Sequence, residues 1–426
     1  MRLLRRPAPL FADTLRIDGP SFPTLLLGIA LFSLITFLRW PEILLHPTFW
    51  GEDGWFWWPD ARKFGLQSLF MPHTGYFQTD SRLIGLLAAP FPLKDGPLIF
   101  ALAAFIFQIL PPVYLLSSRC AALCPSTALR FVIGAILCAM PNCWEVYANL
   151  TNSQWHLAVL AFLIIVASPP RTVAGWVFDG LMLIVSGLSG PFAVFLVPVA
   201  AWVAWSSPDK VRFARLGLVL ACAAIQAGSI LQQPRDVAPH LGASLTGLAR
   251  LIAGQIIAAT LVGHLHLPHL YTLSLWKDGM LPWTLALGGV WLMIEACRRF
   301  PVVRLYGVFA FFVLAASLWR PLAWDASPMW ELLLLPDSSV RYFYIPITFW
   351  LVTLVTLSFA ASASPARNFA RIALGVCVLV GIPYDWRMPA EPDRGFPALS
   401  EKYETLPSGG FIDLPMRPNT HFILGK

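Results

Sequence analysis

The chain has 426 residues, of which 57% are hydrophobic and 12% charged, about half the charged share of an ordinary soluble domain. That balance excludes a water-soluble globular protein. The net charge of +7 does not mark a nucleic-acid binder either, because the arginines recur singly between apolar runs rather than in a basic cluster with exposed aromatics.

In chain order, residues 21–38 form an apolar run followed by Arg39, Trp40 and Pro41. No small-residue cleavage site follows, so a retained first helix is expected rather than a signal peptide. A membrane span needs about 20 mostly apolar residues. Further spans are expected near 96–116, 130–142, 155–168, 174–188, 191–205, 214–231, 281–296, 304–320, 342–361 and 368–384. With 22–39 they make about eleven. The third and fourth are short for full spans, so either they tilt little or they extend through 142–154 into a hairpin at the outer surface. The seven cysteines contain no CxxC pair, so no disulfide framework is implied.

Short cytoplasmic loops are enriched in Lys and Arg. With the N-terminus inside, Arg2, Arg5, Arg6, Arg16, Arg119, Arg130, Arg171, Lys210, Arg212, Arg215, Arg298, Arg299, Arg304, Arg367 and Arg371 all fall on that side. Residues 242–262 are apolar enough to cross, but a crossing there would place Arg298, Arg299 and Arg304 outside. An interfacial or re-entrant segment is expected instead. On this topology 18 of the 23 acidic residues lie on the outer side. The expected fold is an all-α polytopic membrane protein. Residues 1–384 form the transmembrane module, with a large first outer loop at about 40–95 carrying interfacial helices. Residues 385–426 form a short outer-face tail, whose 409–424 stretch reads as a hairpin or lid.

The first loop contains Glu52 and Asp53 within Trp50-Gly51-Glu52-Asp53-Gly54-Trp55-Phe56-Trp57-Trp58. Carboxylates set among so many rings are costly unless used, and one could serve as a general base while the other orients it or a metal ion. The tryptophans themselves read as an interfacial belt. Arg82, after Asp80-Ser81, and Arg341, before Tyr342-Phe343, each begin an apolar run. Each either binds a phosphate through its guanidinium fork or simply snorkels to the interface. Residues 145–156 include Glu145, Asn149, Thr151, Asn152, Gln154, Trp155 and His156. That set suits sugar hydroxyls, or alternatively closes a hairpin and caps a helix. Asn149-Leu150-Thr151 also matches a glycosylation sequon. His264, His266 and His269 do not share one helical face, so packing or phosphate contact is expected there rather than metal ligation.

This order of features resembles the bacterial polytopic proteins of the GT-C glycosyltransferase superfamily. The resemblance rests on Glu52, Asp53, Gly54, Gly75, Tyr76, Arg82, Asn152, Gln154, Trp155 and Arg341. It implies a GT-C-like fold in a bacterial inner membrane, with the N-terminus cytoplasmic and the C-terminus periplasmic. It further implies transfer of a sugar from a polyprenyl-phosphate carrier to a glycan or lipid acceptor at the outer face, with inversion. On that implication Asp53 or Glu52 is the base, with Asp53 preferred. Arg82, Arg341 and His73 meet the donor phosphate, and Tyr76, Asn152, Gln154 and Trp155 meet the sugar or acceptor. No metal-binding residue is assigned, although some relatives use a divalent metal ion. The tail is smaller than the outer C-terminal domain of larger relatives, which argues against an acceptor that needs one. The competing expectation is a transporter or flippase for a lipid-linked substrate, which would carry ionisable groups near the bilayer midplane.

Overall fold

A computed structural model describes residues 20–232, 240–321 and 328–426. The N-terminal arginines used for orientation, Arg2, Arg5, Arg6 and Arg16, lie outside the described residues.

The chain is a multi-pass helical membrane protein. Among the described residues, eight helices are long and apolar enough to cross a membrane: Phe22–Arg39, Leu93–Leu116, Lys210–Gln232, Leu245–Val262, Met280–Arg299, Pro301–Trp319, Val340–Ala360 and Pro365–Trp386. Four shorter apolar helices, Thr127–Ala139, Ser153–Val166, Val173–Gly187 and Phe192–Ser206, accompany them. Every residue of Ser153–Val166 is buried. Fourteen residues rise only about 21 Å, less than a hydrocarbon core of about 30 Å, but a helix enclosed on all sides by protein has no lipid contact to match. Tyr344–Ala360 is the second central helix, tied to its neighbour where the Tyr306 and Thr348 hydroxyls meet.

Polar contacts divide the bundle into two ends. At one end Arg119 and Arg215 both bind Asp179, at 2.6 and 2.9 Å. There Arg119 and Arg215 also donate to the Ser168 and Ala167 carbonyls. At the other end the first loop and the hairpins gather: Arg39 donates to the Met140 carbonyl at 2.7 Å, and the Asn142 amide donates to Asp385 at 2.8 Å. Helix Leu245–Val262 meets this end at both of its termini, while its middle reaches Gly289 of Met280–Arg299 through Ile257. Gly247 lies against Trp330, Arg250 donates to the Lys277 carbonyl, Gln255 to the Leu334 and Leu335 carbonyls, and the following His264 meets Asp385. Both of its ends therefore touch the same layer of loops. Its middle, Ile252–Ala258, is π-helical, which frees the Gln255 carbonyl to accept from Asn142 at 2.9 Å.

The first loop folds as a run of short helices: Glu42–Leu45, Asp53–Trp57, Trp58–Phe64, Gly65–Phe70 and Thr79–Ala88. The C-terminal strands Phe411–Met416 and Thr420–Gly425 pair antiparallel. They dock on this loop, with the Gly51 amide donating to the Arg417 carbonyl and the Arg417 amide to the Phe49 carbonyl, both at 2.9 Å. Gly54 permits the approach, since a Cβ there would meet Met416, Phe422 and Phe49. The belt reading of the tryptophans is corrected for Trp57 and Trp58. Both are buried to 1% exposure or less, packed with Phe49, Phe100 and Phe396 beneath the hairpin, and only Trp55 faces outward.

Candidate functional site

Asp53 opens the π-helical turn Asp53–Trp57 and is 2% exposed. Its Oδ1 accepts from the Thr151 hydroxyl at 2.8 Å and from the Thr151 amide at 3.1 Å. The same hydroxyl accepts from Trp57 Nε1 at 3.0 Å. Burial pushes the Asp53 carboxyl up to about 8, helped by the neighbouring charge of Glu52 and opposed by the Thr151 hydroxyl. This is the range a base near neutral pH requires. Glu52 is only half-buried. The void beside Asp53 is lined by Thr48, Asn149, Leu150 and Arg417 and measures about 10 Å³, room for one water at most.

A larger cavity of about 420 Å³ lies between the first-loop ends of the helices Phe192–Ser206, Lys210–Gln232 and Pro301–Trp319. Tyr76, Gln154, Trp155 and Arg341 line it, together with Arg320 and an apolar wall that includes Phe195, Ile230 and Trp319. Arg341 is ion-paired to Glu145 through its guanidinium, and its amide donates to the second Glu145 oxygen at 3.0 Å. Gln154 Oε1 and Trp155 Nε1 are buried and accept or donate no hydrogen bond among the described residues. Gly190, with φ +77°, presses its backbone against Gln154 where a side chain would collide.

One buried segment connects the two places. Glu145 holds Arg341, Thr151 holds Asp53, and Gln154 and Trp155 begin the central helix and reach the cavity wall. Asn149 and Asn152 close this segment on itself: both side chains donate to the Glu145 carbonyl, at 2.6 and 2.9 Å. Asn152 thus closes the hairpin and is not in the cavity wall. Asn149 is 4% exposed, so the sequon asparagine is enclosed by the fold.

Arg82 is placed differently from the headgroup position expected of it. It is 3% exposed, donates to Asp60 at 2.7 Å and to the Met71 carbonyl at 3.1 Å, and stacks over Trp57. Its charge is spent inside the first loop. His73 lies against the rings of Phe56 and Trp57, 4.4 and 5.0 Å away, and is not in the cavity wall.

Arg320 and Asp80 were not given a role by the sequence, and Glu145 was read only as part of the 145–156 set. Arg320, exposed at the end of Pro301–Trp319, is the second cation at the cavity, and its signal was a basic residue closing an apolar run, as Arg39 closes the first. Glu145 pairs with Arg341. Asp80 is 1% exposed and accepts from Ser153 at 2.6 Å, and burial raises its carboxyl above its ordinary value. Its signal was a lone acid at the first turn of Thr79–Ala88. His264 bridges Asp385 at 2.7 Å and Asp337 at 3.2 Å, while His266 packs its ring tilted against Tyr384 instead. Among the described residues, no group of three or more His, Cys, Asp or Glu side chains is arranged to hold a metal ion.

This is the architecture of a multi-pass helical membrane protein with a polar loop layer at one end. No family model matches the chain, and comparisons with curated proteins and with solved structures return no match.

Proposed function

We propose that the chain is a glycosyltransferase of the GT-C type. It would take a sugar from a polyprenyl-phosphate carrier and place it, with inversion, on a glycan or lipid acceptor at the face bearing the first loop. In this reading the chain crosses a bacterial inner membrane eleven times, with Leu245–Val262 interfacial, the N-terminus cytoplasmic and the C-terminal hairpin periplasmic. The contacts of both ends of that helix with one loop layer support the count.

One observation carries the reading. A buried segment, 145–155, holds a carboxylate raised to about 8 on one side and contributes to the wall of a largely apolar cavity with two cations on the other. An isoprenoid chain needs an apolar groove open between helices, and its phosphate needs cations at the interface. Arg320 supplies the charge together with Arg341, which lines the cavity while paired to Glu145, and Arg82 drops out of that role because it is not in the cavity wall. Sugar hydroxyls would satisfy Gln154 Oε1 and Trp155 Nε1, which are buried without partners among the described residues. Tyr76 offers an aromatic edge beside them.

Chemically, the acceptor hydroxyl attacks the anomeric carbon and gives its proton to the Asp53 carboxylate. The bond from that carbon to the phosphate oxygen breaks, and the leaving phosphate keeps the electron pair beside Arg341. Asp53 is separated from the cavity by the 149–154 turn, so the acceptor reaches it only when that turn or the hairpin over Gly54 moves. Loop movements that open a site to substrate and close it again against water are common in transferases.

The test is reconstitution of the protein in liposomes with a panel of polyprenyl-phosphate sugars labelled in the sugar and a lipid extract as acceptor. Labelled product, with loss of label from the carrier, is the expected result. Movement of the intact labelled carrier between leaflets, with no chemical change, would make the chain a flippase instead.

A further inference from the structure

A second groove lies at the opposite end of the bundle, away from the first loop, between helices Met280–Arg299 and Pro301–Trp319. Its volume is about 590 Å³. Phe349, 8% exposed, lines it from the central helix, and Ile294, Phe311 and Phe312 are 52, 66 and 39% exposed. These are membrane-facing surfaces of spanning helices, so the groove opens to acyl chains and not to water. In a bilayer such a hollow fills with the ambient solvent, which is lipid.

What distinguishes this groove from an ordinary lipid contact is its charged end. Arg298 and Arg304 line it at the turn joining the two helices. Arg304 is anchored, its Nε donating to the Cys297 carbonyl at 2.9 Å and its Nη2 to the Arg298 carbonyl at 3.4 Å. These are carbonyls of the helix C-terminus, which carries partial negative charge. Arg298 is exposed, and among the described residues no hydrogen bond or ion pair engages its guanidinium. Glu295, the nearest acid in sequence, is taken by Arg299 through two nitrogens. From Arg298 up to Val290 the groove runs along eight residues, about 12 Å of helix rise, all of it lined by apolar or small side chains apart from the arginines.

We infer that this groove is a specific site for an anionic phospholipid, its phosphate between Arg298 and Arg304 and one acyl chain in the channel beneath. The charge selects the head: a zwitterionic lipid brings a compensating ammonium that Arg298 repels, whereas an anionic one does not. The site lies at the other end of the bundle from the proposed sugar transfer and does not depend on it.

The experiment is native mass spectrometry of the full chain released from nanodiscs containing equal phosphatidylglycerol and phosphatidylcholine, for wild type, Arg298→Gln and Arg298→Gln/Arg304→Gln. Wild type should retain one phosphatidylglycerol in clear preference. Arg298→Gln, which breaks no internal bond, should lower that preference about fivefold, the effect of one basic residue at an anionic surface. The double variant should abolish it. Arg304→Gln also uncaps a helix end, so Arg298→Gln is decisive if the double variant does not fold. Equal retention by wild type and Arg298→Gln, or a wild type that retains both lipids alike, would overturn the proposal.

Discussion

Asp53 and Thr151 are joined by two hydrogen bonds across 98 positions of sequence, the Thr151 hydroxyl and amide both donating to Oδ1. The hydroxyl favours the ionised carboxylate, which burial opposes. Removing it as Thr151→Val should raise the Asp53 carboxyl further above about 8. In the transfer assay, the pH of half-maximal kcat/KM should move upward by about one unit or less, the usual scale of one neutral hydrogen bond. An unmoved profile would separate Asp53 from the proton transfer.

The same carboxyl sets a stability profile. The unfolded chain loses this proton near the ordinary value of 3.8 and the folded chain near 8. Between those limits the native state holds a proton the unfolded state lacks, so stability falls as pH rises through that window. Asp53→Asn abolishes the penalty, which grows by at most ~1.4 kcal/mol per pH unit. The variant should therefore be more stable than wild type at pH 8, with the margin shrinking toward pH 4. Thermal denaturation in detergent at several pH values checks this.

Trp155→Phe tests the polar atoms at the cavity. Trp155 Nε1 lacks a partner among the described residues, and an unsatisfied buried donor costs about 1–3 kcal/mol. The variant should fold with equal or greater stability yet lose sugar transfer severalfold, chiefly through a higher KM. A loss of stability without a change in KM would make Trp155 a packing residue.

Arg341 and Glu145 form a partly buried pair, with side chains 25 and 11% exposed. Arg341→Ala leaves the Glu145 carboxylate without its counter-charge, which in a fully buried site costs about 3–5 kcal/mol and here less. If Arg341 also steadies the donor phosphate, Arg341→Ala/Glu145→Ala should recover stability but not donor affinity. Denaturation midpoints and donor binding, measured on the same preparations, separate the two roles.

Arg417 ties the hairpin to the first loop, with contacts to Glu391 at 2.9 Å, Thr48 at 3.2 Å and the Glu42 and His46 carbonyls. Arg417→Ala should cost on the order of 3 kcal/mol and expose the loop over 40–58 to protease. Cleavage elsewhere in the chain, with this loop intact, would show that the hairpin does not brace it.

Much of the bundle was legible because the apolar runs and the singly placed arginines obey the bilayer's constraints. Each expected span corresponds to a helix, within a few residues at the ends. Helix Leu245–Val262 shows the limit: length and composition qualify it to cross, and only its contacts reveal that both ends meet one loop layer. At the site, the sequence drew attention to Asp53, Tyr76, Gln154, Trp155 and Arg341. For Arg82, nothing local announces the salt bridge to Asp60 22 residues away. Asn152 was ambiguous between ligand and hairpin closure, and its bond to the Glu145 carbonyl favours closure. The burial of Trp57 and Trp58 was hidden because it depends on a hairpin more than 350 positions downstream, with Trp55 bonded to His421 across 366.

The central claim is that Asp53 takes a proton during sugar transfer from a polyprenyl-phosphate donor. Its most direct test is the rate of transfer by Asp53→Asn beside donor binding by the same preparation. The account predicts a fall in kcat of about 10²–10⁴, the range for loss of a general base, with donor affinity unchanged. Wild-type turnover in Asp53→Asn, retained when Glu52→Gln is added, would contradict it.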